Sequence, residues 1–351
     1  MRNAQTMSIC ESASRPGMKS IKIGPHSLKN RAVLAPMSGV SDLPFRRLAA
    51  RFGAGMVVSE MVASESFVKG DAETQMRAEA QDGGLHVVQL AGREARWMGE
   101  AAKVIAGLGA DIIDINMGCP AKKVTSGYSG SALMRDLDHA LTLIEATVEA
   151  VDVPVTLKMR LGWDDTTINA PKLARRAEAA GVQLITVHGR TRCQFYKGTA
   201  DWDAISAVKS EISVPLIANG DCTGIESADA MLAASGADAV MIGRGAYGRP
   251  WLPGLVGHYL ETGKIVSAPQ GNALGELVIE HYEAILGLYG VLPGVRIARK
   301  HLGWYLDTSI EQGGLDMPAG LKKTMMTSNQ PDEVVRIASD WFSSCNTRTA
   351  A

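Results

Sequence analysis

The sequence predicts an α/β protein in which eight strand–helix units close into a barrel and a helical bundle follows. Eight short runs rich in Val, Ile and Leu lack polar alternation, as expected for parallel strands buried on both faces. About 20 to 40 residues separate successive starts, which leaves room for a helix between each pair. The runs are Ala32–Met37, Met56–Met61, His86–Gly92, Asp111–Gly118, Pro154–Arg160, Gln183–Gly189, Pro215–Gly220 and Ala239–Gly245.

A repeated glycine supports this count. Gly53, Gly109, Gly181 and Gly236 each end a helical segment, and Ala or Val follows just before the second, fourth, sixth and eighth runs. Glycine is the usual residue just beyond a helix C-terminus. Eight such units predict a TIM barrel. The competing open sheet for a dinucleotide would carry G-x-G-x-x-G after its first strand, and that motif does not stand there.

The pattern changes after Gly254, where strand-like runs stop and apolar residues follow helical spacing. The polar stretch Met1–Met18 has no apolar run, so it predicts a disordered lead-in and not a signal peptide. The predicted domains are a lead-in at 1–20, a barrel at 21–253 and a helical domain at 254–345. The helical domain is built from segments at Glu276–Gly290, Arg296–Leu306 and Asp332–Phe342.

The composition excludes several classes of protein. Lys and Arg total 36 against 37 Asp and Glu, a formal net charge of −1, so any polyanionic partner needs a local basic patch. The five cysteines form no C-x-x-C motif and no Cys/His pairing, which argues against a metal site or a disulfide framework and favours a reducing cytoplasm. No run reaches about 18 apolar residues, so we expect no membrane contact.

Polar or conformationally special residues stand where the predicted strands end. The catalytic groups of a TIM barrel lie at this rim, in the loops after the strands. Each residue alone could simply cap the following helix, but eight strand ends agree at once. These residues are Pro36, Met37, Ser38, Glu60, Gln89, Asn116, Cys119, Lys158, Arg160, His188, Arg190, Asn219, Gly220, Asp221, Gly243 and Arg244.

Two of these turns predict a phosphate site. Asn219–Asp221 and Gly243–Gly245 end the seventh and eighth runs, where TIM barrels commonly bind phosphate through backbone N–H groups. The alternative is a pair of ordinary glycine turns. Arg244 favours the phosphate, because its planar guanidinium matches that group. We therefore expect a cofactor that carries a phosphate.

Two charged residues near the end of the fifth run share one face. Lys158 and Arg160 are two positions apart on a strand. A lysine there needs an anionic or electron-rich partner, such as a reduced flavin ring or a substrate oxygen. The alternative is an ion pair with Glu60 or Asp114. His188 by itself is more often a core or capping histidine than a functional one.

Cys119 leaves the rim in a tight turn before Pro120. A free thiol titrates near ~8.5, so at neutral pH it is mostly protonated and can act as an acid. The alternatives are a small buried apolar residue and, less favoured, a thiolate nucleophile. The basic loop at 121–131 is flanked by glycine, which is typical of a mobile lid over an anionic substrate and equally of a plain solvated loop.

The motifs together resemble one family. They are A-P-M-S-G-V-S-D at 35–42, V-Q-L at 88–90, D-I-N-M-G-C-P at 114–120, K-M-R at 158–160, V-H-G-R at 187–190, N-G-D at 219–221, I-G-R-G at 242–245 and R-K-H-L-G-W-Y at 299–305. This set resembles the bacterial tRNA-dihydrouridine synthases, and the B-type subfamily most closely. The resemblance extends from about residue 21 through the helical region, and N-x-G-C-P is its most specific part.

The resemblance implies an enzyme that reduces the C5=C6 bond of uridine in tRNA, with FMN as cofactor and NADPH as reductant. Hydride would pass from flavin N5 to C6, and Cys119 would give a proton to C5 of a base taken out of the RNA stack. It implies that Asn116 holds the uracil, and that Arg160, His188 and Arg190 lie near the nucleotide. The residues implied at the cofactor are Pro36, Met37, Ser38, Gln89, Lys158, His188, Asn219, Gly220, Asp221, Gly243 and Arg244.

The resemblance leaves some points open. Ser38 and Ser41 stand where the family more often has Ala and Thr, and Tyr128 is unusual in the lid. One alternative is an FMN barrel that reduces a small enone or pyrimidine metabolite, and another is a non-catalytic RNA-binding barrel. We expect a monomer that grips tRNA through a local basic patch. The patch residues are Lys122, Lys123, Arg296, Arg299 and Lys300.

Overall fold

The computed structural model describes residues 20–81 and 83–346. The predicted lead-in at 1–20 therefore lies, apart from Ser20, outside the described residues. A short hairpin, which the sequence patterns did not predict, precedes the barrel strands. The strands are β1 (Lys22–Ile23), β2 (His26–Ser27), β3 (Ala32–Leu34), β4 (Met56–Val57), β5 (Val62–Ala63), β6 (Val87–Ala91), β7 (Ile112–Met117), β8 (Val155–Arg160), β9 (Leu184–His188), β10 (Leu216–Asn219) and β11 (Ala239–Ile242).

Nine strands form one parallel sheet in the order β4-β3-β11-β10-β9-β8-β7-β6-β5. β4 and β5 stand at the two ends of this order; β4 lies at the start of the second predicted run, and β5 follows directly after that run ends at Met61. β4 pairs with β3, β5 pairs with β6, and Val58 between them bridges Val87, so the sheet closes on itself. The predicted TIM barrel, with eight strand positions, is confirmed.

The second run, at 56–61, is not the continuous strand that its apolar residues predict. Ser59 and Glu60 are buried at the point where it breaks. The Ser59 hydroxyl oxygen accepts the N–H of Gln89 at 3.0 Å and donates to the Glu60 carbonyl at 2.8 Å. A side chain thus replaces a backbone partner there, which an apolar pattern does not reveal.

The hairpin closes one end of the barrel. Ile21, Ile23 and Leu28 pack into an apolar cluster with residues from the starts of the strands, including Val33 and Ile112. This cluster fills the N-terminal mouth, whereas the carboxyl ends of the strands stay open. The fold therefore leaves the rim predicted to carry function as the accessible end.

Helices surround the barrel. Gly53, Gly109, Gly181 and Gly236 have φ angles of 91°, 95°, 104° and 62°, which confirms their predicted place at helix C-termini. Short 3₁₀ turns lie at Gly130–Arg135 and Arg244–Ala246. The helices are α1 (Leu43–Arg51), α2 (Ser64–Val68), α3 (Ala72–Arg77), α4 (Ala95–Gly107), α5 (Lys122–Thr125), α6 (Leu137–Glu149), α7 (Ala170–Ala179), α8 (Asp203–Lys209), α9 (Ile225–Ser235) and α10 (Leu252–Thr262).

Four further helices form the C-terminal bundle: α11 (Gly271–Tyr289), α12 (Val291–Glu311), α13 (Ala319–Thr327) and α14 (Pro331–Asn346). They bury a second apolar core, into which Leu48 of α1 and Trp251 also pack. The boundary predicted at 253/254 falls inside α10, and Val256 of that helix belongs to the barrel core. Among the described helices, none is both long enough and apolar enough to cross a membrane.

Candidate active site

A cleft of about 1590 Å³ opens at the carboxyl ends of the barrel strands. Pockets for one small ligand usually measure ~300–1000 Å³, so this cleft has room for a cofactor and part of a second molecule. Every residue predicted at the cofactor lines it, and so do Asn116, Cys119, Lys123 and Arg160. Arg190 does not line it, because its side chain is buried in the surrounding loops.

A chain of buried hydrogen bonds crosses β6, β7 and β8 beneath the cysteine. Thr156 Oγ1 and Gln89 Nε2 donate to the two carboxylate oxygens of Asp114, at 2.6 Å and 2.7 Å. Gln89 Oε1 accepts from Asn116 Nδ2 at 2.7 Å, and Asn116 Oδ1 accepts the N–H of Cys119 at 3.0 Å. The chain therefore fixes the turn that carries the thiol.

Cys119 is held from the other side as well. Its carbonyl accepts the hydroxyl of Ser131 at 2.8 Å, and a Cβ on Gly130, where φ is +60°, would lie 2.9 Å from that carbonyl. Burial raises the pKa of the Cys119 thiol above its ordinary value, against the weaker effects of Ala121, Arg160 and Lys158. The thiol is consequently protonated at neutral pH, as an acid must be.

Lys158 lies fully inside the cleft floor. Its ammonium donates to Asn219 Oδ1 at 3.0 Å, and Asn219 Nδ2 donates to the Met241 carbonyl at 2.7 Å. Among the described residues Lys158 forms no ion pair with Glu60 or Asp114, so that alternative is wrong; its ammonium donates to Asn219, and the charge of Asp114 acts on its pKa only at longer range. Burial, followed by the charge of Arg160, lowers the pKa of Lys158 to about 8. An ammonium with so few partners suits an anionic or carbonyl-bearing ligand.

Arg160 ties three loops together. Its Nε donates to the Gly118 carbonyl and its Nη1 to the carbonyls of Thr191 and Phe195, each at 2.8 Å. Its guanidinium carbon lies 5.4 Å from the centre of the Tyr196 ring. Burial lowers the pKa of Arg160 to about 10, so it stays charged. The side chain lines the cleft, but its Nε and Nη1 groups donate to carbonyls of the surrounding loops.

Two arginines converge on Asp221 at the predicted phosphate turn. The buried Arg190 donates to both Asp221 oxygens, at 3.0 Å and 2.5 Å, and also to the carbonyls of Lys197 and Gly198. Arg244 donates to Asp221 Oδ1 at 3.1 Å and keeps 46% of its side chain exposed. Arg190 therefore acts as a support, whereas Arg244 retains free donors toward the cleft.

The same turns present unused backbone donors. No acceptor within the described chain takes the N–H groups of Gly220, Asp221, Cys222 or Gly243, all of which line the cleft. Gly220 has φ of +120°, and a Cβ there would lie 2.7 Å from Ala200 Cβ. Clustered free N–H groups beside an arginine are what a phosphate requires.

His188 lines the cleft wall and is almost fully buried. Its Nε2 lies 3.3 Å from Arg190 Nη1, and since a guanidinium only donates, Nδ1 carries the ring proton. Burial, together with the charges of Lys158, Arg160, Arg190 and Arg244, holds the pKa of His188 well below its ordinary value. The imidazole is therefore neutral at physiological pH.

Tyr196 is a cleft residue that the sequence analysis missed. It is 50% exposed and has the guanidinium groups of Arg160 and Arg244 within 5.4 Å and 4.9 Å of its ring centre. Its position in the loop after His188 was the available signal. A side arm of the cleft, lined by Arg77, Arg93 and Trp97 among others, was also not predicted.

The predicted RNA-binding residues divide into two groups. Lys122, Lys123 and Arg296 are exposed, and none forms a hydrogen bond or ion pair with a residue of the described ranges. Arg299 instead donates to the Thr327 carbonyl at 3.0 Å, and Lys300 donates to the Gly39 carbonyl. The predicted lid at 121–131 contains helix α5 and folds back onto the cysteine turn.

Comparison with known proteins identifies relatives of the chain. The dihydrouridine synthase family profile matches residues 33–345. A probable tRNA-dihydrouridine synthase of Rhizobium leguminosarum bv. phaseoli is 60% identical over 308 residues, which are 88% of this chain and 94% of that protein. The tRNA-dihydrouridine synthase B of Pseudomonas putida is 49% identical over 292 residues, 83% of this chain and 87% of that one.

More distant solved structures share the fold alone. Histamine dehydrogenase from Rhizobium sp. 4-9 superposes with a TM-score of 0.53 at 16% identity, over 76% of this chain and 50% of that one. A 2-naphthoyl-CoA reductase superposes with a TM-score of 0.54 at 16% identity, over 75% and 55%. The resemblance that the motifs predicted is confirmed by the sequence relatives. The chain belongs to the dihydrouridine synthase family.

Proposed function

We propose that this protein reduces uridine in tRNA to dihydrouridine, with FMN as cofactor and NADPH as reductant. The observation that carries the proposal is that one cleft is lined both by Cys119, whose thiol pKa is raised by burial, and by unpaired backbone N–H groups beside Arg244. Two relatives at 60% and 49% identity, both named as tRNA-dihydrouridine synthases, support the same substrate.

The residues present fit FMN. The free N–H groups of Gly220, Asp221 and Gly243, together with Arg244, would hold its phosphate, and Lys158 with Asn219 would meet its ring. The remaining residues that we propose at the cofactor are Pro36, Met37, Ser38, Gln89 and His188, all in the cleft wall. When bound and reduced, the flavin supplies hydride for C6 of the uracil.

We assign the proton transfer, the second half of the reduction, to Cys119. Its thiol would donate the proton that C5 needs, a general-acid contribution typically of ~10²–10⁴-fold in rate. The thiol is kept protonated by burial, and its turn is fixed by Asn116. Because both ends of the Asn116 carboxamide are engaged, we propose that this residue positions the cysteine as well as bordering the uracil.

The base must leave the RNA stack to reach this thiol, since the acid lies inside the cleft. Tyr196, with its half-exposed ring, is the aromatic surface nearest Arg160 and Arg244. Lys122, Lys123 and Arg296 are free to meet RNA phosphates and carry our proposal for the grip on tRNA. We do not assign Arg299 and Lys300 to phosphates, because both already have partners within the chain.

The test joins two measurements on the purified protein and its tRNA substrate. The bound flavin should be released and identified by mass as FMN, and incubation with NADPH should raise the mass of one or more uridines by two hydrogens. The matched control is tRNA that already contains dihydrouridine. Reduction of free uracil or a small enone, without reaction on tRNA, would favour the metabolite reductase, and a protein that cannot be loaded with flavin would support a non-catalytic RNA-binding role.

A further inference from the structure

The loop from Met37 to Ser41, here called the rim loop, forms part of the cleft wall through Met37 and Ser38. It is a tight turn, because the Met37 carbonyl accepts the N–H groups of Val40 and Ser41, each at 2.9 Å. The Ser41 hydroxyl accepts the Met37 N–H at 2.7 Å. Gly39 stands at its exposed tip with φ of +74°, a conformation that favours glycine.

The backbone of Gly39 forms hydrogen bonds with one residue of the barrel and one residue of the C-terminal bundle. Its N–H donates to the carboxylate of Glu60, which is buried at the break between β4 and β5 of the barrel. Its carbonyl accepts from the ammonium of Lys300, which reaches across from α12 of the C-terminal bundle. The backbone of one rim-loop residue therefore joins a barrel carboxylate to a bundle lysine.

The surroundings of Lys300 differ from those of a surface lysine. Burial lowers the pKa of its ammonium, and the charges of Asp42 and Glu60 oppose this effect. The side chain is only partly exposed, while Arg296, one turn earlier on α12, is exposed and makes no hydrogen bond or ion pair within the described residues. The helix thus carries one cation turned into the domain junction and another free for solvent.

We propose that Lys300 is a positioning residue, whose hydrogen bond to Gly39 holds the rim loop in the shape that receives the cofactor. The inference rests on the proposed function, because Met37 and Ser38 of this loop are assigned to the flavin. It also makes the C-terminal bundle part of the cofactor site, although none of its described residues lines the cleft.

Three variants separate this role from RNA binding. Lys300→Met keeps an unbranched side chain but removes the donor, Lys300→Arg restores a charged donor, and Arg296→Met removes the free cation on the same helix. A charged hydrogen bond contributes enough that its loss should weaken FMN binding about tenfold. Each variant is stripped of flavin, titrated with FMN by fluorescence quenching, and then assayed for tRNA binding across a range of salt.

We expect Lys300→Met to bind FMN about tenfold more weakly, with the salt dependence of tRNA binding unchanged, and Lys300→Arg to recover most of the FMN affinity. Arg296→Met should bind FMN as the wild type does and make the salt slope shallower by about 0.7 to 0.9. If Lys300→Met fails to fold, Lys300→Leu, which also lacks a donor, takes its place with the same expectations.

Two outcomes overturn the inference. Wild-type FMN affinity in Lys300→Met together with a shallower salt slope would make Lys300 a phosphate contact. Equal FMN loss in the methionine and arginine variants would show that packing, and not the hydrogen bond, is responsible. A wild-type protein that binds no FMN would overturn the proposed function itself, which keeps the two failures distinct.

Discussion

Asp42 gives a stability prediction whose size follows from its surroundings. The residue is 2% exposed and caps helix α1, where its Oδ1 accepts the Phe45 N–H at 3.1 Å. Its Oδ2 has no hydrogen-bond partner of normal geometry, although the Tyr289 hydroxyl lies close enough to affect it. Burial raises the pKa of Asp42 from 3.8 to about 6, the Phe45 N–H and Arg46 oppose this, and Glu60 adds to it.

The raised pKa of Asp42 determines how the free energy of unfolding changes with pH. A carboxyl whose pKa is higher in the folded protein favours folding when it is protonated, so the native state carries a penalty that grows as pH rises from about 4 to about 6. Two pKa units correspond to at most ~3 kcal/mol above this range. Asp42→Asn removes the charge and keeps a good helix cap, so it should raise the free energy of unfolding by up to ~3 kcal/mol at neutral pH.

The measurement is urea unfolding of wild type and variant, in the same flavin-loaded state, at pH 5 and pH 7.5. The difference between the two proteins should grow by ~1.4 kcal/mol from the lower to the higher pH. Asp71→Asn is the control, because it changes the same kind of cap at an exposed helix end, where Asp71 accepts the Thr74 N–H at 2.9 Å. A difference between wild type and Asp42→Asn that is equal at both pH values would refute the desolvation argument.

Three further predictions concern function. Arg244→Ala should weaken FMN binding by ~1.5–3 kcal/mol, read as flavin retention after dialysis, and full retention would contradict the phosphate clamp. Cys119→Ala should keep NADPH-driven flavin reduction while tRNA reduction falls ~10²–10⁴-fold, and an unchanged rate on tRNA would assign the proton to another group. Joint replacement of Lys122 and Lys123 by alanine should make the salt slope of tRNA binding shallower by about 1.4 to 1.8 at constant FMN content, so an unchanged slope would place the RNA surface elsewhere.

The barrel could be predicted because burial leaves a direct trace in the sequence. β7 and β8 are buried along their whole length, and their apolar runs reflect this. The break at Ser59 could not be predicted, because it depends on a side-chain hydrogen bond to a strand 30 residues away. A local pattern records burial but does not record which distant group a serine meets.

The candidate site shows the same division. The rim position of Arg160 and Arg190 was predictable, since polar residues at strand ends are exceptions to burial. Their partners were not, because carbonyls such as those of Gly118 and Gly198 come from loops whose conformation the sequence does not specify. The sequence likewise placed Lys300 in a basic surface patch, because its contact with the distant Gly39 carbonyl leaves no local sequence pattern.

The electrostatics of the cleft decide which group can serve as the acid. Cys119 and His188 both line it, and both could in principle carry a proton to a substrate. Burial, and after it the charges of nearby cations such as Lys158 and Arg160, lowers the pKa of His188, so the ring stays neutral and donates its remaining proton poorly. Burial acts in the opposite sense on a thiol, whose charged form is the deprotonated one, and keeps the proton on Cys119. These opposite effects of burial are why we propose Cys119, and not His188, as the acid.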